Sequence, residues 1–152
     1  MHNNTGIHVV ARGVIIDQGH ILIAHDLRLN MSLLPGGHIE KGESAQTAVL
    51  RELAEEVGHT FTIQRFLGCL EHDFTPEPHI NYCHTHSYSF IFLVAAPSLS
   101  KEKLPTQVEE YTMLQWIPLT ELHTIPLMPK PFVHLIPRWL DNATTFHSEI
   151  KV

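Results

Sequence analysis

The sequence LPGGHIEKGESAQTAVLRELAEEVG, residues 34–58, predicts a glycine-rich loop followed by one short helix. Winding residues 44–57 as an α-helix places Glu52, Glu55 and Glu56 within an arc of about 100°. Three carboxylates therefore share one face of the helix. Like charges four residues apart, here Glu52 and Glu56, destabilise a helix by roughly 0.2–0.5 kcal/mol. A positively charged group is therefore expected beside them.

A divalent cation is the best candidate for that positive group. Arg51 can reach Glu55 one turn further on, but a single guanidinium cannot offset three carboxylates together with Glu43. A carboxylate-rich site with only oxygen ligands suits Mg²⁺ or Mn²⁺. The adjacent Gly36 and Gly37 let the backbone approach a ligand and turn a carbonyl toward it. The alternative interpretation is an acidic helix face that is simply solvated.

The spacing of Gly37, Glu43 and the segment RELAEEVG, residues 51–58, resembles the signature of the Nudix hydrolase family, which here runs from Gly37 to His59. His59 departs from the usual aliphatic residue, which affects local packing more than chemistry. The resemblance implies an α/β/α sandwich with a mixed, partly antiparallel sheet. We expect a single domain over residues 1–152, with residues 143–152 as a flexible tail.

The same resemblance implies roles for particular residues. Glu52, Glu55 and Glu56 would bind the metal together with a backbone carbonyl of Gly36 or Gly37. Arg51 and Glu43 would hold the loop against the helix and orient those carboxylates. Many relatives carry a further glutamate before a Trp-Ile-Pro strand, for which the candidates here are Glu109 and Glu110. The expected catalytic residues are thus Arg51, Glu55, Glu56, Glu109 and Glu110, although Glu109 and Glu110 can equally be surface residues.

The expected reaction is Mg²⁺-dependent hydrolysis of a diphosphate linkage in a nucleoside diphosphate joined to a group X. A diphosphate repels hydroxide, so cations must screen its charge, polarise the P–O bond and lower the pKa of a bound water. A glutamate would accept the proton of that water. The alternative function is a nucleotide-binding or nucleotide-sensing Nudix module without catalysis.

Composition limits the partners and the compartment. The 152 residues are 43% hydrophobic and carry a formal charge of −6, which argues against a nucleic acid polymer as the main partner. No run is long and apolar enough for a transmembrane helix, and residues 1–6 lack a signal-peptide pattern. Two cysteines provide no disulfide framework. We expect a soluble cytoplasmic protein without a membrane partner, and the family resemblance adds a homodimer as an expectation.

Periodicity predicts paired strands at 7–16 and 20–25, further strands at 61–70 and 87–95, and a strand ending at Pro118. A C-terminal helix is predicted over 132–140, kinked or split at Pro137. Residues 26–32 are predicted to form a loop over the site. Arg28 in that loop would meet a substrate phosphate, or would be an ordinary exposed arginine.

A histidine-rich segment between the strands allows three interpretations. His84, His86, Tyr88 and Phe90 occupy every second position, which favours one face of a strand that lines the substrate pocket. Alternatively, the histidines are structural or surface residues. The third interpretation is a zinc site, because imidazole and thiolate suit that ion, although the spacing matches no standard pattern; its candidate ligands are His72, His79, Cys83, His84 and His86.

Overall fold

The fold is an α/β/α sandwich, seen in a computed structural model that describes residues 6–75, 78–79, 85–103, 106, 108–141 and 145–150. Over these ranges the strands are β1 Ile7–Asp17, β2 His20–Asp26, β3 Met31–Leu33, β4 Gly36–His38, β5 Thr62–Asp73, β6 His86–Ala95, β7 Thr112–Pro118 and β8 Phe146–Ser148. The helices are α1 Ala45–Val57 and α2 Phe132–Leu140, with a 3₁₀ helix at Leu119–Thr124.

Strand β1 lies at the centre of a mixed sheet with the order β3-β2-β1-β6-β5-β8, in which β4 also pairs with β1 and β7 with β2. The pairs β1–β6 and β5–β8 are parallel, and the others are antiparallel. Near its start β1 pairs with β4, with Val10 opposite His38. At its end it pairs with β2, with Ile16 opposite Ile21. This double pairing holds the glycine loop against the first half of β1.

The two helices cover opposite faces of the sheet. Ala48, Val49 and Leu53 of α1 are fully buried and pack in a core that includes Ala11 of β1. Leu135, Ile136 and Trp139 of α2 belong to a second core on the other side. The predicted α/β/α arrangement with a mixed, partly antiparallel sheet is therefore confirmed. Within the described ranges, none of the helices has both the length and the apolar character needed to cross a bilayer.

Both ends of α1 are capped. The Ser44 hydroxyl accepts a hydrogen bond from the Thr47 amide at 3.1 Å, which caps the first turn. Gly58 ends the helix in the left-handed conformation, and its amide donates to the Ala54 carbonyl at 3.1 Å. Both caps fix the helix that carries the acidic face.

The structure differs from the predicted elements in three places. The predicted loop at 26–32 contains the start of β3, which pairs with β2. Helix α2 runs through Pro137 without splitting, because its buried face includes Leu135, Ile136 and Trp139 on both sides of the proline. Part of the predicted tail forms β8, which pairs in parallel with the edge of β5.

Candidate active site

A cavity of about 270 Å³ opens between the glycine loop, α1 and β2. Its described lining is dominated by charge, with four carboxylates against two guanidinium groups. The carboxylates are those of Asp26, Glu52, Glu56 and Glu109, and the guanidinium groups are those of Arg12 and Arg28. Gly36 and Gly37 also line it. Such a cavity repels a polyphosphate unless cations neutralise the excess of carboxylates.

The Glu52 carboxylate lies directly against the backbone of Gly37. A Cβ atom at position 37 would lie 2.5 Å from Glu52 Cδ and 2.6 Å from its Oε2 atom. Arg51 Nη1 holds the other oxygen, Oε1, at 2.9 Å. A side chain at position 37 would therefore push the Glu52 carboxylate out of this position, because the carboxylate occupies the volume that the Cβ atom would fill.

Gly36 is required both by conformation and by space. Its φ of 138° is one that residues with a Cβ rarely adopt, and a Cβ there would lie 2.3 Å from the Ala11 carbonyl oxygen. In this conformation the Gly36 amide donates a hydrogen bond to Glu56 Oε2 at 3.0 Å. The glycine loop thus binds one carboxylate of α1 directly and makes room for another.

Glu56 holds a proton more tightly than an ordinary glutamate does. Burial raises its pKa to about 7, although the hydrogen bond from the Gly36 amide and the charge of Arg12 lower it. The carboxylates of Glu109 and Glu52 raise it further. A buried carboxylate with this surplus of negative neighbours is the kind of ligand from which a divalent cation displaces a proton.

Arg51 and Glu43 tie the loop to the helix. Arg51 Nε and Nη2 donate to Glu43 Oε1 and Oε2 at 2.8 and 3.0 Å, and Nη2 also donates to the His38 carbonyl at 3.1 Å. The hydrogen bonds from Arg51 and from the Glu40 amide lower the pKa of Glu43 to about 2. These contacts are the ones that the predicted supporting roles of Arg51 and Glu43 require, and the roles themselves stay predictions.

Glu55 lies apart from the other two carboxylates of the signature. Its side chain is 58% exposed, and its Oε1 is 3.6 Å from Arg51 Nη1. Among the residues that the structure describes, no three Asp, Glu, His or Cys side chains converge closely enough to hold a metal ion. The residues present nevertheless fit a hard cation, since two inward carboxylates face glycine backbone and supply only oxygen ligands. The role of Glu55 stays a prediction.

The mouth of the cavity carries Arg28 and Glu109. Asp26 accepts from Arg28 Nη2 at 3.1 Å and from the Arg28 amide at 2.8 Å, and the guanidinium lies 4.9 Å from the centre of the Tyr111 ring. Glu109 Oε2 accepts from the Thr112 hydroxyl at 3.0 Å. Arg28 and Glu109 line the cavity, whereas Glu110 is not among its lining residues. Their roles in binding and proton transfer stay predictions.

Arg12 is a site residue that the sequence reasoning missed. Its Nη1 donates to the carbonyls of Leu34 at 2.7 Å and Gly36 at 3.3 Å. Burial lowers its pKa, while the charges of Glu56 and Glu52 raise it. The available signal was the single charge within the apolar segment 7–16, because a charge inside a buried strand needs a partner.

A second cavity of about 250 Å³ adjoins the first and shares Arg12 and Leu33 with it. Its wall is mostly apolar, with Val10, Phe74 and Met128, and it includes His72. His72 is stacked on Phe74 with ring centroids 5.6 Å apart, and burial lowers the pKa of the His72 imidazole. The two cavities together offer one charged and one apolar compartment.

The histidine predictions have mixed outcomes. His84 and Cys83 lie outside the described residues, so their roles stay predictions. His86 and Tyr88 lie on one face of β6 beside Glu71 of the neighbouring strand β5, and Glu71 Oε1 is 3.6 Å from His86 Nε2. The apolar cavity is lined instead by Ser87 and Ser89 from the opposite face. His86 is not among the residues that line either cavity.

Comparison with known proteins assigns the family. The chain belongs to the family described as "NUDIX domain", whose family model matches residues 7–140. The family predicted from the sequence is therefore confirmed.

Three similar proteins illustrate the match. The chain is 35% identical over 89 residues to the "Putative mutator protein MutT4" of Mycobacterium tuberculosis (strain CDC 1551 / Oshkosh), which covers 59% of this chain and 33% of that protein. It is 40% identical over 76 residues to the "8-oxo-dGTP diphosphatase" of Proteus vulgaris, covering 47% of this chain and 67% of that protein. The chain thus spans a third of the length of the first relative and two thirds of the second. A NUDIX hydrolase from Nitrosomonas europaea has the same fold, with a TM-score of 0.70, 20% identity and 90% of each chain covered.

Proposed function

We propose that this protein is a pyrophosphohydrolase that uses Mg²⁺, or Mn²⁺, to cleave the diphosphate linkage of a nucleoside diphosphate joined to a group X. Nucleoside triphosphates are the first substrates to test, because one relative is named as an 8-oxo-dGTP diphosphatase. The observation that carries the proposal is the position of Glu52 and Glu56. Both carboxylates face the glycine backbone in one cavity.

The charge of the cavity supports a role for cations. Carboxylates outnumber guanidinium groups among its described lining residues, so a bare diphosphate would be repelled. Glu52, Glu56 and the carbonyl of Gly36 or Gly37 would hold the cation, and Glu55 would join them by turning away from Arg51. When bound, a divalent cation screens the phosphates, polarises the P–O bond and lowers the pKa of water.

The reaction consumes one water for each linkage. The water oxygen forms a new bond to one phosphorus as the bridging P–O bond breaks, and the bridging oxygen leaves with the other phosphate. A glutamate accepts the proton of the water, and Glu109 is the candidate that lines the cavity outside the helix. Arg51 and Glu43 keep the signature carboxylates in place during this step.

The adjoining apolar cavity suits the nucleoside part of the substrate. A volume of about 250 Å³ with Phe74 and His72 in its wall offers flat surfaces to a ring. A substrate that spans both cavities would therefore place its phosphates near Glu52 and Glu56 and its base beside Phe74.

A turnover screen tests the proposal. Nucleoside triphosphates, nucleotide sugars, dinucleoside polyphosphates and capped ends would be incubated with the protein and Mg²⁺ or Mn²⁺, and the phosphate and mononucleotide products quantified. Glu56→Gln and Glu55→Gln should keep the fold and lose most turnover. Glu121→Gln is the matched control, since Glu121 is exposed on the 3₁₀ helix. Full activity in both signature variants would contradict the proposal.

The alternative function, a nucleotide sensor without catalysis, makes a different prediction in the same screen. A sensor would bind a nucleotide with Mg²⁺ while releasing no product from any compound. The intact set of Glu52, Glu55, Glu56 and Arg51 favours the enzyme, because a sensor has no need of the whole metal cluster.

A further inference from the structure

Arg12 occupies the junction of the charged and apolar cavities. It is one of two lining residues that the cavities share, and the other, Leu33, is uncharged. In a substrate that spans both cavities, the part between the phosphates and the base would lie beside this guanidinium. The position therefore brings a permanent positive charge to the point where a phosphate meets the rest of the substrate.

The guanidinium is held at one end only. Nη1 donates to the carbonyls of Leu34 and Gly36. Among the described residues, no acceptor binds Nε or Nη2, and neither Glu52 nor Glu56 forms an ion pair with Arg12. Two backbone carbonyls thus fix the plane of the group, while its remaining N–H donors stay available to a ligand. A planar group with paired donors matches the oxygens of a phosphate.

The surrounding charge changes when cations bind. Without them, the Glu56 and Glu52 carboxylates partly offset, through space, the effect of burial on the charge of Arg12. Cations bound to those carboxylates would cancel this compensation, and Arg12 would then lie beside a positive centre. An anion between them restores the balance, and a phosphate is the anion that the proposed substrate supplies.

We propose that Arg12 binds the phosphate of the substrate's diphosphate that is bonded to the nucleoside, through the donors that Leu34 and Gly36 leave available; this inference rests on the proposed function. It assigns Arg12 a contact with substrate in addition to its contacts with the loop. The competing explanation is that Arg12 only positions the Gly36 carbonyl for the cation.

Calorimetry separates the two explanations without requiring turnover. Inorganic pyrophosphate would be titrated into the Mg²⁺-loaded protein, and Mn²⁺ would be titrated alone, for wild type, Arg12→Lys and Arg12→Met. Arg12→Lys keeps the positive charge but loses the planar guanidinium with its paired N–H donors. This variant still tests the proposal if Arg12→Met fails to fold. Arg138→Lys is the control, because Arg138 is exposed on α2.

We expect Arg12→Lys to weaken pyrophosphate binding by about tenfold or more, while its Mn²⁺ affinity stays within about twofold of wild type. A loss of Mn²⁺ affinity of equal size would overturn the proposal in favour of a positioning role. Unchanged pyrophosphate affinity, or no pyrophosphate binding by wild type, would also overturn it. Arg12-dependent pyrophosphate binding by a protein that hydrolyses nothing in the screen would support this inference while contradicting the proposed hydrolysis.

Discussion

The carboxylate of Glu52 occupies the space that a side chain at Gly37 would fill, with Glu52 Cδ 2.5 Å from the position of the missing Cβ. The helix and the loop are therefore matched to each other at atomic contact. Because the carboxylate is the far end of a flexible side chain, an added methyl group would displace the carboxylate before it displaces the backbone.

Gly37→Ala should accordingly reduce turnover by about a hundredfold while changing the free energy of unfolding by less than about 0.5 kcal/mol. Steady-state kinetics and urea unfolding measure the two effects separately. Gly19→Ala is the converse control, because Gly19 has a φ of 74° and nothing within 4 Å of its Cβ position. It should lose about 1 kcal/mol of stability and keep wild-type turnover. An active, well-folded Gly37→Ala enzyme would contradict the assignment of Glu52.

Glu109 and Glu110 are adjacent in sequence, but only Glu109 lines the charged cavity among the described residues. Glu109→Gln should reduce kcat by about a hundredfold if Glu109 accepts the proton of water. Glu110→Gln should remain within about twofold of wild type. If Glu109→Gln keeps its kcat, the proton acceptor lies on the signature helix instead.

The ion pair of Glu43 and Arg51 should make the protein sensitive to acid. Because the folded pKa of Glu43 is lowered from 4.5 to about 2, its contribution to stability is complete above pH 4.5 and lost as the pH falls through about 2. Glu43→Gln should therefore show a smaller loss of stability across this window than wild type. Thermal unfolding midpoints between pH 2 and pH 6 would check this, and parallel curves for the two proteins would contradict it.

In the metal-free protein, Glu56 should make folding stability depend on pH in the opposite direction. The pKa of Glu56 is raised from 4.5 to about 7 in the folded protein. Its contribution to folding stability is therefore complete below pH 4.5 and lost as the pH rises through about 7. Metal-free Glu56→Gln should then be more stable than wild type above pH 7, by up to about 3 kcal/mol. Added Mg²⁺ should stabilise wild type but not the variant. Unfolding at pH 5 and pH 8 with a chelator tests this, and a wild type that stays the more stable at pH 8 would refute it.

Gly68 packs under the indole of Trp139, where a Cβ would lie 2.5 Å from Trp139 Cε2. Trp139 is 1% exposed, so its indole is surrounded by packed neighbours and can move aside only by displacing them. Gly68→Ala should cost about 1–3 kcal/mol of stability. The same substitution in a Trp139→Phe background should cost less, because the smaller ring leaves room for the methyl group. Equal costs in the two backgrounds would show that the contact is not the cause.

The sequence predicted the elements whose signals are local. Helix α1 and the strand pair β1–β2 follow from short-range patterns, and they lie where the sequence predicts them. The family signature implies that Arg51 and Glu43 hold the loop against the helix, and Arg51 donates hydrogen bonds to both carboxylate oxygens of Glu43.

Other features depend on distant parts of the chain and could not be predicted in this way. Arg12 meets the Leu34 and Gly36 carbonyls across more than twenty residues of chain, and no local pattern contains that contact. Strand β8 forms because β5 offers an edge, with Cys69 opposite Phe146. Pro137 does not split α2, because burial of Leu135, Ile136 and Trp139 outweighs one lost hydrogen bond; the predicted kink stays a prediction.

Because β1 pairs with β4 near its start and with β2 at its end, the number of residues in this strand fixes the register of both partners. Gly13 faces Leu53 on the side of α1, while Val14 packs in the core beneath α2, so consecutive residues point to opposite faces. One residue inserted between Ile7 and Arg12 would leave β4 or β6 misaligned, or would send the guanidinium into the wrong layer. Homologous chains should therefore vary in length in the turns around β1, and hardly ever within it.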